Sequence, residues 1–206
     1  MIREDLGRLD YEAAWALQKA RLEQRIAGAI PDTALFVEHD PVYTLGRRRG
    51  AADNILAPAG VPVIQVERGG DATWHGPGQQ VVYPIVALLE EKRDIHAHLK
   101  NLEEAAIRTC QEYGLDAVRD PRNTGAWVNG RKICSIGVAV RRWVTWHGLA
   151  LNVAPDMDYF RRINPCGFDG DIMTSMAVEL AKVGRPVPPR AEVADRLFAH
   201  LSDILA

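Results

Sequence analysis

Three residue types capable of covalent or proton-transfer chemistry occupy unusual local settings in this 206-residue chain. Cys166 lies in Asn164-Pro165-Cys166-Gly167, where proline fixes one backbone torsion and glycine removes steric cover. That setting presents a thiol as a nucleophile, although a free cysteine is more often a small buried hydrophobe. The reactive form would be the thiolate, so a neighbouring base or positive charge must match or lower a pKa near about 8.5. Lys132, His75 and His147 are the candidates. Lys132 closely follows Asn129-Gly130, and strand alternation predicts that it shares a face with Cys134 and Ile136. A lysine partly desolvated there exchanges protons near neutrality; one that snorkels from a hairpin end into water does not. His75, between Trp74 and Gly76-Pro77-Gly78, suits a pocket wall, while His147 fits either an equivalent group or a hydrogen-bonded structural histidine. Cys110 and Cys134 fall on apolar faces and read as core. No HxxxH, HExxH or CxxC spacing occurs, so no metal is expected.

These residues need a frame, and RGGDATWHGPGQQ (residues 68–80) marks its centre with four glycines between two apolar runs. Such a cluster belongs where the main chain bends sharply or approaches a ligand, or in an ordinary glycine-rich connection. It departs from GxGxxG spacing, and a strand rather than a helix follows it, which argues against a dinucleotide fold. Tyr11, Trp15, Leu22 and Ile26 recur at helical spacing, with Asp10 as N-cap and Pro31 marking the end, so a first helix is predicted over 11–30. ALFVEH, VYTL, VPVIQVER and QVVYPIVALL read as strands, so the glycine segment is expected to join two sheet elements at a rim. Ile95 to Tyr113 traces a second helix that Gly114 ends. WVNGRKICSIGVAVRRWVTWHGLALNV reads as a β meander, turning at Asn129-Gly130 in type I′ geometry and again near Arg141-Arg142. Val193, Leu197, Leu201 and Leu205 mark a last helix after the rigid connector VGRPVPPR. The order predicts an α+β fold, a mixed or antiparallel β-sheet packed by helices, in one domain over 1–206.

With 47% hydrophobic and 25% charged residues, the chain has the composition of an ordinary globular protein. Its net charge of −2 gives no global field for nucleic acid. Arg47-Arg48-Arg49, Arg141-Arg142 and Arg161-Arg162 are local basic clusters that fit an acidic partner or a solvated surface. No apolar run approaches the ~20 residues that span a bilayer, and MIREDLGRLD lacks the apolar core of a secretory signal. A cytoplasmic protein with reduced cysteines and no membrane association is expected.

Three segments together resemble the lipoyl(octanoyl)transferase family of the biotin/lipoate protein ligase-like superfamily. RGGDATWHGPGQ is similar to that family's RGGxxTYHGPGQ, the meander resembles its lysine-bearing hairpin, and INPCGF with Thr174-Ser175 resembles its nucleophile region. Trp74 stands where tyrosine is usual, and the spacer FDGDIMTSM differs in detail. The resemblance implies a biotin/lipoate ligase-like fold, with Cys166 as acyl-thioester nucleophile and Lys132 as its general acid/base. It implies substrate contacts from Arg68, Gly69, Gly70, Asp71, Ala72, Thr73, Trp74 and His75, from Ser135, Ile136 and Gly137, and from Gly148, Leu149 and Ala150. The implied donor is octanoyl-acyl carrier protein. The implied acceptors are lipoyl domains of 2-oxoacid dehydrogenase complexes and the glycine cleavage H protein, with no ATP, metal or other cofactor. An ATP-dependent lipoate or biotin ligase, transfer between lipoyl-domain proteins, and a non-catalytic carrier-protein or acyl-lipid binding module are the alternatives. The basic clusters would dock the acidic carrier, in a manner weakened by salt. The glycines at 69, 70, 76, 78 and 137 are expected to form a narrow acyl tunnel.

Overall fold

The computed structural model describes residues 1–206, the side chains of Lys92 and Cys166 excepted. In chain order the elements are β1 (Ile2–Leu9), α1 (Tyr11–Ile26), β2 (Thr33–His39), β3 (Val42–Leu45), β4 (Val63–Gln65), β5 (Ala72–His75), β6 (Gln79–Ile85), α2 (Ile95–Glu112), β7 (Ala117–Val118), β8 (Gly125–Val128), β9 (Arg131–Arg141), β10 (Val144–Asn152), α3 (Met176–Lys182) and α4 (Arg190–Ile204). Asp10 caps α1 by accepting from Ala13 N at 2.9 Å, as the sequence predicts. That helix stops at Ile26, short of Pro31, because Gly28 turns the chain with a φ of 72°. The charged opening segment, which carries no apolar alternation, forms β1 by pairing in parallel with β2.

Seven strands build the main sheet in the order β1-β2-β6-β10-β9-β8-β7, and β4-β3-β5 form a small second sheet. The main sheet is covered on both faces, which explains its near-continuous apolar runs. Ala34, Phe36 and Val82 enter the core beneath α2 and α4, whereas Leu35, Val37, Val81, Tyr83 and Ile85 pack with Ala14 and Leu22 of α1. The glycine-rich segment is more than a connection. Its centre, Ala72–His75, is itself β5 in the small sheet, and Gly76 to Gly78 then carry the chain into β6 of the main sheet. The segment therefore bridges the two sheets instead of lying at the rim of one. Both meander turns occur as predicted: Asn129 and Gly130 have φ of 51° and 72°, and Arg142 and Trp143 have 49° and 61°. Among the described residues no helix is long and apolar enough to cross a membrane.

Candidate functional site

A cavity of about 840 Å³, open at its mouth, lies between the small sheet and the main sheet. Arg68, Gly70, Asp71, Ala72, Thr73 and His75 line it from the glycine-rich side, and Ser135, Ile136, Gly137, Gly148, Leu149 and Ala150 line it from β9 and β10. Lys132 stands at the same cavity with Asn123, Thr124, Pro165, Phe168, Ile172 and Met173.

Two predicted contacts do not reach it. Gly69 points its N–H away, to Val138 O at 2.9 Å. Trp74 faces the opposite side of β5, because its neighbours in the strand, Thr73 and His75, take the cavity face. The Trp74 ring stacks on Tyr159 at 4.7 Å between centroids and meets Phe160 edge-on at 5.5 Å. It is a core side chain and not an aromatic cavity wall.

The glycines also act differently from a tunnel lining. A Cβ on Gly76 would lie 2.1 Å from the Trp74 ring, and one on Gly78 would lie 2.3 Å from Ala154 O. At those two positions glycine admits neighbouring protein, and only Gly70 and Gly137 of the five face the cavity. Gly137 pairs directly with Gly148, which leaves the β9–β10 wall flat at that point. Arg68 is buried nearby and donates to Thr44 O at 2.8 Å and Thr44 Oγ1 at 2.9 Å, so its guanidinium braces β3.

Lys132 reaches the cavity through a break in strand alternation. Ala126 pairs with Cys134, but Trp127 pairs with Lys132, which leaves Ile133 without a cross-strand partner. A bulge of this kind re-aims the side chains beyond it. Ile133 and Cys134 both enter the core under α2 and α4, and Lys132 turns to the cavity face with Ser135. The expected sharing of a face by Lys132 and Cys134 is thus overturned. The Lys132 side chain is buried, crosses the bare Cα of Gly125, and donates to Asn123 Oδ1. Burial pushes the Cys110 thiol up to about 12 and raises that of Cys134 further, so both are inert core thiols.

The segment before α3 is fastened to β9 beside Lys132. Thr174 N donates to Lys132 O at 2.9 Å, and Arg131 donates to Met173 O at 2.8 Å. Thr174 and Ser175 serve this anchoring: Thr174 Oγ1 donates to Glu179 at 2.6 Å and Ser175 caps α3. Cys166, the predicted nucleophile, lies outside the described side chains. Its sequence neighbours Pro165 and Phe168 line the cavity.

Tyr11, Tyr83 and the histidines form a buried polar group that sequence reading assembled only in part. His147 pairs with Val138, six residues along β9 from Lys132 and so on the order of 20 Å away. His75 stacks on Tyr11 at 6.0 Å, and His39 Nε2 and Tyr83 OH lie 2.7 Å apart. Burial lowers His147 to about 3 and His39 to about 4, and holds His75 far below its ordinary value, so this end carries neutral imidazoles. Tyr11 comes from α1 and Tyr83 from β6, positions whose apolar spacing reads as core. Asn123 gives no motif signal at all.

Residues 10–202 match the family model of the lipoyl protein ligase A/B catalytic domain. The chain is 49% identical to an octanoyltransferase of Geobacter metallireducens over 98% of its own length and 94% of the relative's. It is 47% identical to an octanoyltransferase of Rubrobacter xylanophilus, covering 91% of this chain and 86% of that one. Among solved structures, lipoate-protein ligase A bound with ATP superposes with a TM-score of 0.74 at 15% identity, covering 99% of this chain and 84% of the ligase.

Proposed function

The chain belongs to the lipoyl protein ligase A/B catalytic domain family, and we propose that it acts there as an octanoyltransferase of protein lipoylation, with Cys166 carrying the acyl group as a thioester. The observation that carries this reading is that the glycine-rich strand, Lys132 and the sequence neighbours of Cys166 border one cavity. The relatives at 49% and 47% identity bear the octanoyltransferase name along most of their length, whereas likeness to an ATP-bound ligase at 15% identity speaks for the fold alone.

In the first step the Cys166 thiolate attacks the thioester carbonyl of octanoyl-acyl carrier protein. The new C–S bond forms as the old one breaks, and the leaving pantetheine thiolate takes the proton that Lys132 accepted from Cys166. In the second step the amine of a lipoyl-domain lysine attacks the octanoyl-enzyme. A C–N bond replaces the C–S bond, and the proton lost by the amine returns by way of Lys132 to the Cys166 thiolate. Exchange of thioesters is nearly balanced and amide formation is downhill, so the scheme requires neither ATP nor metal. The acceptors are lipoyl domains of 2-oxoacid dehydrogenase complexes and the glycine cleavage H protein. Val81, Leu149 and Ala150 offer apolar wall to the octanoyl chain. Each methylene contributes only about 0.8 kcal/mol, so rejection of longer chains falls to the bulk of the buried Tyr11, His75, Tyr83 and His147 side chains that line the cavity.

The test is to mix the protein with octanoyl-acyl carrier protein, without ATP, and weigh the intact product. A hydroxylamine-sensitive octanoyl adduct on Cys166 is expected. Cys166→Ala abolishes adduct and amide, and Lys132→Ala slows acylation on the order of a hundred- to ten-thousand-fold. No adduct, or octanoylated lipoyl domain only with ATP and free octanoate, would favour the ligase reading instead.

A further inference from the structure

The geometry points to Asn123 as the residue that positions Lys132 for proton transfer, a role that rests on the octanoyl-transfer reading above. Asn123 lies in the bend before β8, and its main chain serves the local fold. Its N–H donates to Asp120 O at 3.3 Å, and its O accepts from Trp127 Nε1 at 3.0 Å. The side chain is engaged elsewhere: Oδ1 accepts from Lys132 Nζ, and the residue lines the cavity. Lys132 Nζ also lies 5.8 Å from the centroid of the fully buried Trp127 ring, so an amide oxygen and an aromatic face both help to direct it. The bend is itself held by α2, since Glu103 Oε1 accepts from Gly125 N at 2.8 Å. A chain of contacts therefore runs from α2 through the bend to the ammonium.

The chemical type of the partner matters as much as its place. An amide oxygen directs an N–H bond without adding negative charge, so the lysine keeps a proton that it can give up. A carboxylate at the same point would bind the ammonium as an ion pair and hold that proton more tightly. Nothing in the asparagine's local fold requires its side chain, because both main-chain bonds survive substitution.

The experiment is a pH profile of acyl-enzyme formation from octanoyl-acyl carrier protein for the wild type, Asn123→Asp and Asn123→Ala, with steady-state kcat and KM beside it. The cysteine-lysine dyad titrates as a pair, and added negative charge raises both apparent values. Asn123→Asp should displace the profile to higher pH by about one unit or more and regain most of the wild-type rate there. Asn123→Ala should lower kcat on the order of tenfold or more, with KM for the carrier unchanged. An Asn123→Asp profile that superimposes on the wild type, or an alanine variant with wild-type kcat, would overturn the role. The aspartate variant decides alone should the alanine variant lose its fold. Absence of any wild-type adduct would overturn the transfer reading and this inference together, whereas a normal adduct with superimposed profiles removes Asn123 only.

Discussion

At the scale of single residues, chemistry depends on which side of a strand a side chain takes. Trp74 and His75 are adjacent, yet one packs on Tyr159 and Phe160 and the other lines the cavity. Tryptophan in place of the tyrosine usual in resembling sequences therefore changes a core contact and not a substrate contact. Its Nε1 is buried with no partner among the described residues, so phenylalanine would lose little there. We expect Trp74→Ala to cost about 3–5 kcal/mol of stability in denaturant melts. Trp74→Phe should cost much less and leave KM for the octanoyl donor unchanged; a raised KM in a well-folded Phe variant would put the ring back at the substrate. The residue types at Cys166, Lys132 and His75 were legible in the sequence because their neighbours are unusual. Asn123, Tyr11 and Tyr83 were not, since nothing in their own surroundings distinguishes an asparagine in a bend or a tyrosine on an amphipathic face.

At the scale of elements, the hairpin that carries Lys132 is held by a buried carboxylate. Glu179 of α3 accepts from Asn129 Nδ2 at 3.0 Å, from Thr174 Oγ1 at 2.6 Å and from Lys182 Nζ at 2.7 Å. Burial alone would raise its pKa, but the hydrogen bonds from Lys182, Thr174 and Asn129 outweigh that and hold it below the usual range. The carboxylate thereby ties the β8–β9 turn to α3 and to the segment that follows Cys166. Glu179→Ala would leave Asn129 and Thr174 without an acceptor, and a loss of about 1–3 kcal/mol with a lower kcat is expected. Glu179→Gln should recover part of both, because its amide oxygen still accepts; an alanine variant with unchanged melt and kcat would show that the tie is dispensable. Helices α1, α2 and α4 and the hairpin turns were predictable because capping, periodicity and Asn-Gly geometry are local, whereas the seven-residue α3 is too short to show a periodic apolar face. The bulge at Ile133 was not, since it exists only in the register between two strands.

At the scale of the whole molecule, the three arginine clusters separate. Arg48 O accepts from Ala51 N, and Arg162 O accepts from Leu56 N and Ala57 N, so 47–49 and 161–162 meet through one loop. Arg48 also pairs with Asp71 at the cavity at 3.2 Å, and Pro165 of the cavity wall follows Arg162 closely. Arg141 lies at the distant end of β9 and binds Glu23 at 2.5 Å. Reversing charge at 47–49 and 161–162 should raise KM for the acidic carrier and flatten its salt dependence, while reversal at 141–142 should do neither. Equal effects from all three clusters, or none, would refute docking at the cavity mouth. By itself the sequence determined the α+β class, the helix that Asp10 caps and two later helices, both meander turns, the family resemblance and the three segments it rests on. These follow from local torsion preferences, periodicity and residue type. Only the tertiary structure decided that β5 and β6 belong to different sheets, that β1 is a strand, and that Lys132 leaves the face of Cys134 for the cavity. Strand partners and register are set by contacts between segments far apart in the chain, and no local pattern carries that information.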